Sequence, residues 1–181
     1  MVLTIRLAGP QDLEPILELQ RQAIQVLCRQ DYCPRQLDAI VLSQQRARGL
    51  SELILLAENE QNLVGFSTAL LPTWEIGGVY VHPDYTRRGI ATQLLTYLER
   101  QAIERRRRKL SVTSSITAVA FYQSLGFQVI RKTKFLMYGA WIPCIEMEKP
   151  LTLSPTQPQD ISPLLLWCCA FVLVALLLML L

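Results

Sequence analysis

All charged side chains of this 181-residue chain lie at or before Asp160, and this limit divides the sequence into two unlike parts. The 18 Lys and Arg and the 15 Asp and Glu residues are spread over the first part, whereas residues 161–181 carry no charge. About 150 residues are enough for one domain with a substantial core, and they leave little room for two. The sequence therefore predicts one globular domain at 1–149, a proline-rich linker at 150–160 and an apolar segment at 161–181.

The apolar segment is long enough to cross a membrane as a helix. Its 21 residues would extend about 31 Å, close to the roughly 30 Å hydrocarbon core of a bilayer. Pro163 lies in the first turn, where a helix tolerates proline, and Trp167 lies near one end. A helix that caps the domain or forms a dimer interface is the alternative, but such a helix normally shows a polar face. We expect one C-terminal transmembrane helix at 161–181, in contact with the lipid bilayer.

The remaining composition favours a cytoplasmic location for the globular domain. No apolar run long enough for a signal peptide precedes Pro10, so we expect a single-pass C-terminal anchor with the domain facing the cytoplasm. Five cysteines without a CxxC pair are typical of reduced thiols, and together with a single histidine, His82, they predict no metal site. A net charge of +3 predicts no nucleic-acid binding. The basic run at 105–109 is interpreted as a solvated helix end, with membrane or RNA contact as the alternative.

The spacing of apolar residues predicts an α/β domain with the element order β-α-α-β-β-β-α-β-α-β-β. Strands are predicted at 3–7, 51–57, 63–71, 74–82, 110–114, 127–135 and 144–148. Four helices are predicted. The first follows Pro10, the second ends at about Arg48, the third begins after Gly89 and the fourth lies at 116–125. The expected architecture is a mixed, mostly antiparallel sheet flanked by helices.

The stretch at 79–91 has the pattern of an anion site. A predicted strand ends at His82, and a loop with Arg87 and Arg88 leads into Gly89, Ile90 and Ala91 at the start of a helix. The first amides of a helix have no partner within it and carry the positive end of the helix dipole, and small residues let an oxygen approach the backbone. The two arginines add charge and bidentate donors. This pattern predicts a bound phosphate or pyrophosphate, and an ordinary solvated loop is the alternative.

Two segments together resemble the GNAT N-acetyltransferase superfamily. They are VYVHPDYTRRGIATQLL at 79–95 and AVAFYQSLGF at 118–127, and the resemblance extends over 3–151. It implies a GNAT fold in which the fourth and fifth strands separate to admit acetyl-CoA. It also implies the cofactor contacts Val79, Tyr80, Val81, Arg87, Arg88, Gly89, Ile90 and Ala91. At Thr86 the chain departs from the Gln or Arg that is usual in this family.

The resemblance also implies the catalytic residues. Tyr122 lies four residues before Gly126, at the general-acid position of the family, and would donate a proton to the departing thiolate. Glu75 lies fourteen residues before Gly89 and is the leading candidate for the general base. A water relay and His82, whose reference pKa near 6.5 suits a base, are the alternatives.

The expected function is the direct transfer of an acetyl group from acetyl-CoA to an amine acceptor, either a small molecule or a protein. At pH 7 only about one amine in a few thousand is neutral, which is why a base or a relay is needed. The rival interpretation is a membrane-anchored acyl-CoA-binding or interaction module without turnover, which the departure at Thr86 would favour.

Overall fold

The computed structural model describes residues 2–46, 52–60, 62–71 and 73–152, and these residues form seven strands and four helices. The element order is the predicted one. The strands are β1 (Thr4–Leu7), β2 (Glu52–Asn59), β3 (Asn62–Leu70), β4 (Glu75–Val81), β5 (Lys109–Ser115), β6 (Gln128–Met137) and β7 (Ala140–Pro150). The helices are α1 (Leu13–Leu27), α2 (Pro34–Arg46), α3 (Ile90–Glu104) and α4 (Val119–Ser124).

All seven strands belong to one sheet with the order β1-β2-β3-β4-β5-β7-β6. Strands β4 and β5 are parallel, and the other neighbouring strands are antiparallel, so the predicted mixed sheet is confirmed. The ladder between β4 and β5 consists of the pairs Glu75–Ser111 and Ile76–Val112. Within the described residues, 77–81 of β4 have no partner in β5. The expected separation of the fourth and fifth strands is therefore present.

A β-bulge at Gly77 lies where this separation begins. Thr68 of β3 is opposite Gly78 and Ala69 is opposite Ile76, so that Gly77 is the extra residue. A Cβ atom on Gly77 would overlap the Thr68 hydroxyl, which explains why glycine occupies the position. Bulges bend a strand and increase its twist. The bulge thus directs the end of β4 away from β5.

Helices α3 and α4 cover one face of the sheet, and α1 and α2 cover the other. The buried stripe of α3, spaced by three and four residues, is Ile90, Leu94, Leu95, Leu98 and Ala102. Gly65 of β3 lets α3 approach closely, because a Cβ atom there would lie 2.9 Å from a methyl carbon of Ile90. On the other face, α1 packs on Leu56 and Phe66 of β2 and β3.

The described domain extends slightly past its predicted end at 149. Strand β7 runs to Pro150, and Leu151, which the prediction places in the linker, is 7% exposed and packs in the main core. No helix of the described ranges is both long and apolar enough to span a membrane. The predicted transmembrane helix at 161–181 lies outside these ranges, as does most of the predicted linker.

Candidate active site

The loop between β4 and α3 is held together by its own side chains. After β4 a 3₁₀ turn at Pro83–Tyr85 is capped by His82, whose Nδ1 accepts a hydrogen bond from the amide of Asp84 at 3.3 Å. Arg88 donates to the carbonyl of Asp84 at 3.2 Å, and its guanidinium lies 4.9 Å from the centroid of the Tyr85 ring. His82 and Arg88 therefore fix the path of the loop.

The backbone at the end of this loop has the shape of an anion site. Arg87 has φ +62° and Gly89 has φ +77°, so both lie in the left-handed region. Alternation of right- and left-handed residues turns successive amides toward one point, and such a concavity binds anions. Arg87, Arg88 and Gly89 are exposed, and no heavy atom lies within 4 Å of the Cβ position on Gly89. The open space and the free helix amides fit a pyrophosphate.

The hydroxyl of Thr86 is used within the loop, where it donates to the carbonyl of Pro83 at 3.1 Å. The Thr86 side chain therefore stabilises the turn. The amides of the next residues, together with the charge of Arg87, are left for the anion.

The hydrophobic residues predicted to contact the cofactor point into the protein. Val79 and Val81 pack against the core on the α3 side of the sheet, as does Ile90 of α3 itself. Tyr80 points to the opposite face, where its ring stacks on Phe66 at 4.8 Å. The backbone groups of 77–81 face the separation between β4 and β5, where no β5 residue pairs with them in the described part of the chain. An unpaired strand edge can hydrogen-bond an extended, amide-containing ligand. These residues thus offer main-chain contacts.

Tyr122 of α4 is buried in the main core, with 3% of its surface exposed. Its ring makes edge contacts with Phe121 at 5.1 Å and Phe127 at 5.3 Å. Burial raises the pKa of the Tyr122 phenol above its ordinary value, and the nearby Tyr80 raises it further. Among the described residues, none forms a hydrogen bond with this hydroxyl. At neutral pH the group therefore carries a proton that it can donate.

Glu75 lies on the opposite face of the sheet, in the first of the two residue pairs that join β4 to β5. Its Oε1 atom accepts a hydrogen bond from the Thr113 hydroxyl at 3.3 Å. Glu75 lines a cavity of about 360 Å³ on the face covered by α1 and α2. The other residues that line this cavity are Tyr32, Ile40, Glu52, Leu70, Ile76, Gly77, Tyr80, Thr113, Ser115, Phe135, Met137, Ile142 and Cys144.

The structure places the two catalytic candidates on either side of the β4–β5 separation. Tyr80 lines the cavity together with Glu75, and its proximity also raises the pKa of the Tyr122 phenol. His82 is part of the loop and does not line the cavity. A reactant held between the strands would therefore meet an acid on one side and a carboxylate on the other.

Among the cavity residues that the sequence did not single out are Tyr32 and Glu52. The Tyr32 hydroxyl donates to the Pro143 carbonyl and accepts from the Ile116 amide, both at 2.8 Å, and burial raises its pKa to about 12. It therefore joins the α1–α2 connection to the residue that follows β5 and to β7. Neither residue belongs to a local motif, so only the tertiary structure shows that they line the cavity.

Comparisons with known proteins agree with this geometry. The family model described as an acetyltransferase (GNAT) domain matches residues 23–151. The uncharacterized N-acetyltransferase YafP of Escherichia coli (strain K12) is 30% identical over 140 residues, which cover 76% of this chain and 89% of that protein.

Solved structures show the same fold. A GCN5-related N-acetyltransferase from Rhodopseudomonas palustris has a TM-score of 0.78 at 28% identity and covers 83% of this chain and 99% of its own. The PaiA N-acetyltransferase of Thermoplasma acidophilum, solved with coenzyme A, has a TM-score of 0.68 at 20% identity with the same two coverages. Because the family model spans most of the chain, the protein belongs to the GNAT acetyltransferase family and is an acyltransferase with acetyl-CoA as its co-substrate.

Proposed function

We propose that the protein transfers the acetyl group of acetyl-CoA directly to an amine that enters the cavity beside Glu75. The observation that carries this proposal is the separation of β4 and β5 after the Ile76–Val112 pair. At one end of the separation lies the exposed loop of Arg87, Arg88 and Gly89. The cavity opens on one face of the sheet, and Tyr122 lies on the other.

Each residue has a defined part in this reaction. The amides of 88–91 and the Arg87 guanidinium would hold the pyrophosphate, and the free edge of β4 would align the chain of the co-substrate. Bound acetyl-CoA supplies the thioester carbonyl that the amine attacks. Glu75, directly or through water, would accept the proton of the ammonium group. Tyr122 would donate its proton to the sulfur as the C–S bond breaks, and the second proton, which the nitrogen loses as the amide forms, would return to the phenol through solvent.

The cofactor assignment is tested with Gly89→Asp. The added carboxylate repels phosphate, and the Cβ fills the space that is open in the structure, so we expect acetyl-CoA binding to be abolished in calorimetry while circular dichroism is unchanged. Gly139→Asp is the matched control, because Gly139 has a similar φ of +75° in the turn between β6 and β7. An affinity of Gly89→Asp equal to that of the wild type would show that the anion binds elsewhere.

The same protein tests the rival interpretation, a binding module without turnover. Release of the CoA thiol is measured with a panel of small amines and with peptides that present a free N-terminus or a lysine. Thiol release that depends on the amine supports acetyl transfer. Tight acetyl-CoA binding without thiol release from any amine would favour the binding module.

We also propose that residues 161–181 tether the enzyme to a membrane with the domain facing the cytoplasm. This proposal rests on the uncharged, apolar sequence of the segment. The chain leaves the domain beside the basic run at 105–109, since the Leu151 amide donates to the Arg108 carbonyl at 2.8 Å. Basic residues near an anionic leaflet are attracted by about 1 kcal/mol each, which would favour this side of the domain facing the bilayer.

A further inference from the structure

Strand β6 forms one edge of the sheet, and within the described residues it pairs with β7 alone. Large hydrophobic side chains lie exposed near its turn with β7: Phe135 is 41% exposed, Leu136 60% and Trp141 54%. The opposite edge, β1, has four residues, and its Arg6 is paired with two carboxylates. A long edge strand with apolar side chains can pair with a further strand. Of the two edges, β6 is therefore the one able to take up another chain.

The turn between β6 and β7 determines which backbone groups of β6 point outward. Tyr138 and Gly139 have φ of +46° and +75°, and positive φ at both residues is typical of a type I′ turn. In such a turn the flanking residues, here Met137 and Ala140, form a hydrogen-bonded pair. Hydrogen-bonded and non-hydrogen-bonded pairs alternate along an antiparallel ladder. Every second residue from the turn therefore directs its amide and carbonyl away from β7, namely Leu136, Lys134 and Lys132.

A second copy of the chain can pair with this edge about a two-fold axis, and the charges of β6 select the register. All charged side chains of β6 are basic, and like charges directly opposite each other destabilise a sheet. An axis at Thr133 places Lys132 opposite Lys134, and an axis at Lys134 places that residue opposite itself. With the axis at Phe135, each Lys134 lies opposite the partner's Leu136, and the outward backbone groups of these two residues meet.

This register also brings apolar side chains together. Phe135 is opposite the partner's Phe135 in a non-hydrogen-bonded pair, in which Cα atoms are about 4.5 Å apart and aromatic rings contribute to stability. On the other face of the sheet, the Lys134 ammonium lies 4.7 Å from the centroid of the Trp141 ring. The aliphatic part of Lys134 is then available to contact the partner's Leu136. The edge is thus complementary to itself, as a two-fold interface requires.

We propose that the protein is a two-fold dimer in which the β6 strands of two copies pair antiparallel about Phe135. The sheets of the two copies then form one continuous sheet. Because Phe135 lines the cavity beside Glu75, the partner's Phe135 lies at the rim of that cavity and borders the path of the acceptor. This inference goes beyond the proposed function, and the pairing of the strands does not depend on it.

The test measures the mass of the full-length protein in detergent by sedimentation equilibrium, with the solvent matched to the density of the detergent. We expect the wild type to be a dimer. Leu136→Lys places a lysine opposite Lys134 at two positions of the interface, so the dissociation constant of the dimer should rise about 10- to 100-fold. Val26→Lys is the matched control, because Val26 is 44% exposed on α1, and this variant should dimerise as the wild type does.

A double variant tests the register itself. Lys134→Glu combined with Leu136→Lys places opposite charges across the interface, so dimerisation should be restored. A monomeric wild type would overturn the inference, and acetyl transfer by that monomer would leave the proposed function intact. Leu136→Lys with the dissociation constant of the wild type would also overturn it, by assigning association to another surface or to residues 161–181. A double variant that dimerises no better than Leu136→Lys would overturn the pairing about Phe135.

Discussion

Tyr122 combines a tightly packed ring with a hydroxyl that no described residue hydrogen-bonds. Tyr122→Phe removes only that hydroxyl, so we expect kcat to fall about 10²- to 10⁴-fold, the range for a positioned proton donor, with unchanged affinity for acetyl-CoA. Single-turnover kinetics measure the rate of acetyl transfer, and calorimetry measures the affinity for acetyl-CoA. Tyr97→Phe is the control, because Tyr97 packs beside the same core on α3. Wild-type turnover in Tyr122→Phe would limit this tyrosine to a packing role.

Glu75 is tested by the pH dependence of the rate. The ammonium group must lose a proton to Glu75 before the amine can attack, so kcat/KM of the wild type should rise with pH. In Glu75→Gln we expect this rise to be flattened and the rate to fall by about 10²-fold. Glu60→Gln, on the exposed turn between β2 and β3, is the control and should keep the wild-type profile. An unaltered profile in Glu75→Gln would assign proton removal to water or to another residue.

At the scale of elements, Arg6 joins three parts of the fold. It donates to Asp12 at the start of α1 at 2.8 Å and to Glu58 of β2 at 2.7 Å, and Asp12 also accepts from the Gly9 amide at 2.7 Å. The Arg6 hydrogen bonds and then the Gly9 amide lower the pKa of Asp12 from 3.8 to about 2. The folded state therefore favours the ionised carboxylate.

This low pKa predicts how stability depends on pH. The contribution of Asp12 is fully present above about pH 4 and is lost as the pH falls toward 2. Asp12→Asn should lower the melting temperature at pH 7 and reduce the loss of stability between pH 4 and 2, measured by thermal unfolding. Glu18→Gln is the control, since Glu18 pairs with Arg21 on the exposed surface of α1, where an ion pair contributes little. Equal acid dependence in Asp12→Asn and the wild type would contradict the assignment.

The order of the elements follows from the sequence, whereas the extent of the last hairpin does not. The predicted strands at 127–135 and 144–148 are longer in the structure and meet at a turn of Tyr138 and Gly139, both with positive φ. Pro143 would ordinarily end a strand. It is tolerated here because the β5 ladder ends opposite Cys144, so at Pro143 strand β7 pairs with β6 alone.

The candidate site also has one part that the sequence predicts and another part that only the tertiary structure shows. The loop at 83–91 is contiguous in sequence, so its glycine and arginines predict an anion site from the sequence alone. The cavity instead collects Tyr32 from the α1–α2 connection, Glu52 from β2 and Thr113 from β5. The pairing of the strands and the packing of the helices bring these residues together, and no spacing of residues within the sequence predicts this.

At the scale of the whole molecule, the membrane proposal predicts how the protein fractionates. The full chain should stay with membranes after extraction with carbonate and with high salt, because an apolar helix cannot leave a bilayer into water. A chain that ends at Asp160 is the matched control, and we expect it in the soluble fraction with equal acetyltransferase activity. Release of the full chain by salt would show peripheral attachment and leave the acetyltransferase function untouched.

The short ladder between β4 and β5 also affects how the molecule unfolds. Two residue pairs join β1–β4 to β5–β7, whereas the antiparallel neighbours share from four pairs, between β1 and β2, to nine, between β6 and β7. A ligand that fills the separation adds main-chain hydrogen bonds where the sheet has fewest. Binding at 100 times the dissociation constant stabilises a folded state by about 2.7 kcal/mol. With acetyl-CoA bound across this separation, as proposed, the melting temperature of the enzyme should rise with the concentration of its acetyl donor.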